Sequence, residues 1–198
     1  VVGNGLRWVK TLGRMTFGVS LVISGAGSQG LCALAAAKAA GVGPVVMLGL
    51  GTDQARFDLA RQMGVDGVVM VDRDDPLEAV PRLIGGPPDA VIETSGVPQA
   101  ILTALKLVRT SGRVVVIGMS GGMSTPVVFD ELVWRDITLV TGKGQAGNVE
   151  DAMQLINSGA YPFEKINNVA YRLEALSQAL DDTAQRPSGF LKAVVVFD

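Results

Sequence analysis

The chain has 198 residues, of which 48% are hydrophobic and 18% charged, a balance that provides a full core and excludes an intrinsically disordered protein. Its formal net charge is −2 and its basic residues are scattered, so the sequence lacks the clustered positive surface that nucleic acid binding needs. One cysteine and no histidine exclude an internal disulfide and a Ser-His-Asp triad, and disfavour a zinc site made by this chain alone. A single cysteine is also compatible with a reducing compartment, and the cytoplasm is therefore the expected location.

Residues 15–37 carry no charge and are long enough to cross a bilayer. Four glycines and the polar residues Ser20, Ser24, Ser28 and Gln29 interrupt this stretch. A buried strand, a polar turn and a buried helix describe it better than one membrane helix, and no signal peptide is evident. We therefore expect no association with a membrane.

Strand and helix patterns alternate along most of the chain. Short apolar runs rich in β-branched residues predict six strands, at residues 20–24, 44–48, 67–71, 90–93, 113–118 and 137–141. The segments between them predict four helices, at residues 28–40, 53–63, 75–84 and 98–109, and Pro81 is expected to distort or shorten the third. The alternation predicts an α/β fold of the Rossmann type, with a doubly wound parallel sheet of six strands.

The pattern changes after residue 143. Helix patterns at residues 148–158 and 174–184 alternate with strand patterns at residues 169–173 and 191–197. We therefore expect a main domain over residues 1–143 and a short α+β segment over residues 144–198.

A glycine turn follows the first predicted strand. Gly25, Gly27 and Gly30 match the G-x-G-x-x-G pattern, between a strand and a helix that open a βαβ unit. The free N–H groups around Ser28 and Gln29, at the helix N-terminus, would face a pyrophosphate with a favourable dipole. The turn therefore predicts binding of a nicotinamide dinucleotide, with a turn kept only for packing as the alternative.

Gly49 lies where the second predicted strand should end, 24 residues after Gly25. An acidic residue at this position would accept hydrogen bonds from the adenosine ribose and repel the 2′-phosphate of NADP. Gly49 does neither, so NAD and NADP remain alternatives. Arg56 is the nearest basic residue that could meet a phosphate. Asp53 could accept from a ribose or, as the simpler interpretation, cap the following helix.

Several sequence blocks resemble one family, in the correct order. They are GLCALAAAKAAG after the glycine turn, then ARFDLARQMGVD, DAVIETSGVPQAI, LVRTSGRVVVIGM and SGFLKAVVVF. Together they resemble the zinc-dependent alcohol dehydrogenases of the medium-chain dehydrogenase/reductase family, near its sorbitol and threonine dehydrogenase members. The resemblance implies an NAD(P)-binding Rossmann domain over residues 1–143 and a segment over residues 144–198 that returns to a substrate domain absent from this chain. Because that family's zinc ligands lie mostly in the absent domain, no catalytic or metal-binding residue is expected here, and the isolated chain is expected to be inactive.

The resemblance also assigns roles outside the glycine turn. Thr94 would pass near the adenosine, and Lys192 would reach the pyrophosphate from the return segment. Gly118 and Met119 would lie beside the nicotinamide ring. Simpler alternatives are that Thr94 ends a strand, that Met119 belongs to the core and that Lys192 is a solvated surface charge. The expected cofactor-binding residues are Gly25, Gly27, Ser28, Gln29, Gly30, Gly49, Thr94, Gly118, Met119 and Lys192.

The sixth predicted strand, between Asp136 and Thr141, carries an apolar and uncharged run. Such an edge would invite aggregation if it were left open. In the resembled family this edge helps to pair two nucleotide-binding domains, so a homodimer through this strand is expected, with burial by the absent domain as the alternative.

The function that the resemblance implies is hydride transfer between a secondary alcohol or polyol and the nicotinamide. The partners would be NAD or NADP and a small alcohol or carbonyl substrate, with zinc only in the intact protein. Two alternatives stay open, a dinucleotide-binding module without catalysis and a part of a zinc-free quinone or enoyl reductase.

Overall fold

Two parallel sheets organise the protein in a computed structural model that describes residues 1–144, 146–187 and 189–197. The larger sheet has six strands in the order β3-β2-β1-β4-β5-β6, and the smaller sheet pairs β7 with β8. The strands are β1 Leu21–Ser24, β2 Val45–Gly49, β3 Gly67–Met70, β4 Ala90–Glu93, β5 Arg113–Val116, β6 Thr138–Thr141, β7 Val169–Arg172 and β8 Ala193–Val196. This order confirms the predicted doubly wound α/β fold with a short α+β segment at its C-terminal end.

Helices connect and cover the strands. They are α1 Val2–Leu6, which continues as a π-helix over Arg7–Leu12, α2 Ser28–Ala39, α3 Gln54–Gln62, α4 Pro76–Ile84, α5 Pro98–Leu107, α6 Phe129–Trp134, α7 Val149–Asn157 and α8 Leu176–Gln185. Short 3₁₀ turns lie at Gly51–Asp53, Phe163–Ile166 and Leu173–Ala175. Helices α1 and α6 are additions to the predicted elements.

The central strands of the large sheet are buried on both faces: successive side chains point to opposite faces, and an apolar cluster covers each face. Leu21 and Ile23 of β1 pack into one apolar cluster with Phe57 of α3, and all three side chains are fully buried. Val22, between them in sequence, packs into a second cluster with Val80 of α4 on the opposite face. The two clusters explain why the predicted strands are apolar at nearly every position.

Pro81 was expected to distort or shorten α4, but the helix keeps its predicted end at Ile84, so the shortening does not occur. The Asp75 carboxylate caps the helix by accepting a hydrogen bond from the Leu77 N–H group at 2.9 Å, and Gly85 ends it in the left-handed conformation with φ of 84°. A proline removes only one hydrogen bond of a helix. The fully buried Val80 and these two well-formed ends hold the helix together around it.

The uncharged stretch at residues 15–37 divides into a loop, β1 and the first part of α2. Across the part of the chain that the structure describes, no helix has both the length and the apolar character needed to cross a membrane.

Candidate functional site

A cleft of about 1380 Å³ opens at the carboxyl ends of the strands in the large sheet. It lies beside β1 and β4, where the strand order reverses and where open α/β sheets bind their ligands. Six of the ten predicted cofactor-binding residues line this cleft: Gly25, Gly27, Ser28, Gln29, Gly49 and Thr94. The sequence therefore predicts residues that line this cleft, called the main cleft below.

The three glycines of the turn differ in what the fold requires of them. Gly25 has φ of 109°, a conformation that side chains rarely adopt, and a Cβ atom there would overlap the Thr94 hydroxyl. A Cβ atom on Gly30 would overlap the Gly25 carbonyl oxygen, so this glycine lets α2 approach the turn closely. Gly27 has φ of −74°, and its Cβ atom would meet nothing within 4 Å. Only Gly27 is therefore unexplained by the chain's own packing.

Helix α2 presents its positive end to the cleft. Its first backbone hydrogen bond runs from the Leu31 N–H group to the Gly27 carbonyl at 2.9 Å, and no side chain caps its N-terminus. The N–H groups of Ser28 and Gln29 thus precede the helix's own hydrogen bonds. Such a helix end favours a negatively charged group.

Thr94 links the ends of β4 and β1. Its hydroxyl donates to the Ser24 carbonyl at 2.9 Å and lies 3.3 Å from the Gly25 carbonyl oxygen. The side chain therefore helps to hold the glycine turn in place as well as lining the cleft.

Glu93 organises the next loop, and the sequence analysis did not single it out. Its side chain is fully buried at the end of β4. Its carboxylate accepts hydrogen bonds from the Ser95 N–H group at 2.7 Å, from the Ser95 hydroxyl and from the Gly96 N–H group at 3.1 Å. These bonds satisfy a charge that would otherwise be costly to bury.

Gly118 and Met119 do not line the cleft. Gly118 packs against the Glu93 loop, because its Cβ atom would overlap the Gly96 backbone and lie 2.6 Å from the Glu93 Oε2 atom. The Met119 side chain is 90% exposed, so the interpretation of Met119 as a core residue is wrong.

Lys192 is also separate from the main cleft. It lines a second cleft of about 750 Å³ together with Val1, Gly3 and Cys32. Burial raises the pKa of the Cys32 thiol to about 11, while the positive charge of Lys192 acts in the opposite direction. The structure therefore brings Lys192 close to α2 without placing it in the main cavity.

Gly49 is surrounded by atoms that leave no room for a side chain. A Cβ atom there would lie 2.9 Å from the Phe57 ring, 3.0 Å from the Asp53 Oδ2 atom and 3.2 Å from the Ala26 Cβ atom. The first two of these neighbours come from the segment that follows β2. Gly49 is thus required by the packing at the end of its strand.

Asp53 directly precedes α3, but its side chain accepts from none of the backbone N–H groups of that helix. Its Oδ2 atom instead accepts from the Leu50 N–H group at 2.9 Å, which closes the 3₁₀ turn before the helix. Its Oδ1 atom accepts from Arg56 at 2.7 Å. The interpretation of Asp53 as a side-chain cap of α3 is therefore wrong, and its carboxylate lies at the cleft instead.

The C-terminal segment contributes to the same end of the cleft. Arg56 donates a second hydrogen bond, at 3.1 Å, to the Phe190 carbonyl, and both residues line the cavity. Arg73 also lines it, with its guanidinium 2.8 Å from the position of a Cβ atom on Gly51. Arg56 follows β2 and Arg73 follows β3. From the sequence, only Arg56 was named as a basic residue that could meet a phosphate.

The residues of this chain offer few ligands for a metal ion, because the chain has no histidine and one cysteine. Within residues 1–144, 146–187 and 189–197, no three cysteine, aspartate or glutamate side chains are grouped so that they could hold a metal ion. The residues at hand therefore do not fit a zinc ion, and no chemical step in this chain is assigned to one.

Comparison with known proteins gives consistent family relationships. The sequence profile of the family described as "Zinc-binding dehydrogenase" matches residues 30–158. A Mycobacterium tuberculosis protein named as a probable alcohol dehydrogenase is 37% identical over 193 residues, covering 95% of this chain and 53% of that protein. The L-threonine 3-dehydrogenase of Bacillus licheniformis is 31% identical over 186 residues, covering 91% of this chain and 52% of that protein.

A solved structure shares the fold. A short chain alcohol dehydrogenase of Escherichia coli, complexed with NADH, matches with a TM-score of 0.85 at 17% identity, covering 99% of this chain and 58% of that chain. The chain spans about half the length of the curated relatives it matches. The profile match and the identities confirm the resemblance noted in the sequence: the chain belongs to the zinc-binding dehydrogenase family.

Proposed function

We propose that this chain is the cofactor-binding part of an NAD(P)-dependent dehydrogenase of the zinc type, which interconverts a secondary alcohol or polyol and its carbonyl product. The observation that carries the proposal is the open position at Gly27. The fold does not need a glycine there, so the missing side chain leaves room for something outside the chain. The pyrophosphate of a dinucleotide is the group that such a turn accepts.

The surroundings of Gly27 fit this cofactor. The N–H groups of Ser28 and Gln29 would donate to the pyrophosphate at the positive end of α2. Gly25 and Gly30 would shape the turn, and Thr94 would hold it against β4. When bound, the nicotinamide would supply the hydride acceptor or donor. This chain's own residues would bind it and orient it.

The remaining residues of the site belong to the same proposal. Gly49 would lie beside the adenosine ribose, and Gly118 and Met119 would approach the nicotinamide from the end of β5. Lys192 would reach the pyrophosphate from the second cleft, which Cys32 of α2 also lines. Residues 1–143 would form the binding domain, and residues 144–198 would return to a substrate domain that carries the zinc ligands.

Location and assembly complete the proposal. We place the protein in the cytoplasm, where both nicotinamide cofactors are available. Two copies would pair through β6, which is an edge strand of the large sheet. Support comes from α6, just before β6 in the chain, where Phe129, Val133 and Trp134 are 67%, 77% and 86% exposed. Apolar side chains exposed together commonly mark an interface.

The test of cofactor binding is the substitution Gly27→Ala. We expect calorimetric titration to show binding of NAD⁺ or NADP⁺ to the natural chain, and binding about tenfold weaker or lost in the variant, because the new methyl group would occupy the space for the pyrophosphate. The free energy of unfolding should change by less than about 1 kcal/mol, because the methyl group meets no protein atom.

Gly86→Ala is the matched control. Its Cβ atom also meets nothing within 4 Å, and Gly86 does not line the cleft. This variant should bind the cofactor as the natural chain does. Equal cofactor affinity in Gly27→Ala and Gly86→Ala would contradict the assignment of Gly27, and no binding by the natural chain would contradict the proposed function itself.

A further inference from the structure

The carboxylate of Asp53 stands beside the place that an acidic side chain at the end of β2 would take. Its Oδ2 atom is 3.0 Å from the position of a Cβ atom on Gly49. The 3₁₀ turn at Gly51–Asp53 lies between the end of β2 and the start of α3, and it places Asp53 beside the end of the strand. The absence of a side chain at Gly49 is what lets the carboxylate come so close.

This carboxylate is held firmly and still has capacity to accept hydrogen bonds. Its side chain is only 15% exposed and is fixed by the Leu50 N–H group on one oxygen and by Arg56 on the other. Each carboxylate oxygen can accept about two hydrogen bonds, so a free acceptor position is left on each. Both Gly49 and Asp53 line the main cleft.

The basic residues nearby do not make an equally good phosphate site. Arg56 is 14% exposed and already donates to Asp53 and to the Phe190 carbonyl. Arg73 is exposed, and beside it the Asp72 carboxylate accepts from the Gly51 N–H group at 2.7 Å. A phosphate on the ribose would therefore meet two carboxylates as well as two guanidinium groups, with a carboxylate nearest to the end of β2.

We infer that Asp53 determines cofactor choice in this chain: it accepts a hydrogen bond from the 2′-hydroxyl of the adenosine ribose and selects NAD over NADP. The inference rests on the proposed function, which places a dinucleotide in this cleft. On this inference, Gly49 leaves space for the Asp53 carboxylate of the following turn. A glycine at position 49 therefore does not make the site accept NADP.

The experiment measures the affinities of NAD⁺ and NADP⁺ for the natural chain and for Asp53→Asn by calorimetric titration. The natural chain should bind NAD⁺ at least about tenfold more tightly than NADP⁺, the size expected for a hydrogen bond to a charged acceptor. In Asp53→Asn the preference should disappear or reverse, because the variant loses the repelling charge and releases Arg56 to meet the phosphate.

Asp58→Asn is the matched control. Asp58 forms the same kind of pair with Arg61, three residues later and also at 2.7 Å, but the pair is exposed and does not line the cleft. This variant carries the same change in charge a short distance further along the chain, within α3, and should keep the NAD preference of the natural chain within about twofold. If Asp58→Asn lost as much of the NAD preference as Asp53→Asn, the effect would be one of net charge and the inference would be wrong.

A change in the ligand tests the same contact without altering the protein. We expect 2′-deoxy-NAD⁺ to bind the natural chain about tenfold more weakly than NAD⁺, and this difference should vanish in Asp53→Asn. If the natural chain binds NADP⁺ as well as NAD⁺, or binds the deoxy analogue equally, the inference is wrong while the proposed function stands. If it binds no dinucleotide, both are wrong.

Discussion

At the scale of single residues, the contacts around Gly49 predict the outcome of an obvious engineering step. Gly49→Asp would restore the acidic residue that usually ends this strand, but its Cβ atom would collide with Phe57 and crowd the Asp53 carboxylate. We expect the free energy of unfolding to fall by about 1–3 kcal/mol, as for other overpacked sites, without tighter binding of NAD⁺. Unfolding in denaturant and titration with NAD⁺ measure the two effects.

Gly86→Asp provides the comparison for this substitution. It adds the same side chain at a position where a Cβ atom meets nothing within 4 Å. Its stability should stay within about 0.5 kcal/mol of the natural chain. A Gly49→Asp variant that is as stable as this control and binds NAD⁺ more tightly would show that the end of β2 can repack.

Site residues could be predicted from the sequence only where the requirement is local. Gly25, Gly27 and Gly30 lie within six consecutive residues, so the turn could be recognised from the sequence alone. The environment of Gly49 depends on Phe57 and Asp53, whose positions are set by a 3₁₀ turn that the residue pattern did not indicate. Glu93 was missed for a different reason: its partners, Ser95 and Gly96, follow it directly in the chain, but the residue pattern does not show that its side chain turns back onto their N–H groups.

At the scale of elements, Asp89 joins three parts of the sheet at the edge opposite the cleft. It accepts hydrogen bonds from the Ser20 N–H group at 2.8 Å and the Ser20 hydroxyl at 2.6 Å, just before β1. It also accepts from the Arg109 guanidinium at 2.6 Å, just after α5. Burial alone would raise the pKa of Asp89, but these bonds outweigh it and hold the pKa below its ordinary value.

The pH dependence of stability should reflect this carboxylate. A lowered pKa in the folded state stabilises the protein above the unfolded pKa, which is about 3.9, and this contribution is lost as the pH falls through the folded value. Asp89→Asn should therefore lower the free energy of unfolding at neutral pH by about 1 kcal/mol, a modest effect because the side chain is one-third exposed. The deficit should shrink below pH 4, as measured by denaturant unfolding across the acid range.

Glu78→Gln serves as the control for the Asp89 variant. Its partner is Arg82 on the surface of α4, with both side chains more than 60% exposed. Loss of this ion pair should lower the free energy of unfolding by less than about 0.5 kcal/mol at any pH. A deficit in Asp89→Asn that persists unchanged in acid would contradict the assigned role of the ionised carboxylate.

Strand positions were predicted well because buried parallel strands are apolar at nearly every position. The fifth strand is shorter than predicted, since the N–H groups of Ile117 and Gly118 both donate to the Glu93 carbonyl and turn the chain. Helix α1 could have been found, because Val2, Leu6 and Val9 follow a helical spacing and are buried. Helix α6 gave no such signal, because apolar residues lie on its exposed face as well as its buried one.

At the scale of the whole molecule, the proposed dimer can be tested at the edge strand β6. The Thr138 N–H group bonds inward to the Gly112 carbonyl at 3.0 Å, so by alternation the exposed Thr141 directs its own N–H group outward. Thr141→Pro removes that donor and should convert a dimer into a monomer in sedimentation velocity experiments. Thr141→Ser, which keeps the donor, should stay dimeric.

Two outcomes would exclude pairing through β6. One is a natural chain that sediments as a monomer at every accessible concentration. The other is a Thr141→Pro variant that remains a dimer, which would move the interface to another surface of the protein.

The relation between the two halves of the chain was the least predictable property. From the sequence, only Lys192 of the C-terminal segment was given a role in binding. In the structure, Arg186, Pro187 and Phe190 border the main cleft, and the Phe190 carbonyl holds Arg56. The Arg56–Phe190 hydrogen bond joins residues 134 positions apart, so a pattern of neighbouring residues could not reveal it.

The position of Cys32 has a practical consequence. It is the only cysteine in the sequence, it is 1% exposed, and Gly5 of α1 lies against its carbonyl oxygen. A buried thiol with a pKa of about 11 reacts with alkylating reagents only when the structure around it opens. The rate at which this one thiol is labelled therefore reports how often the packing around α2 opens, and the natural chain carries that reporter without the introduction of any probe.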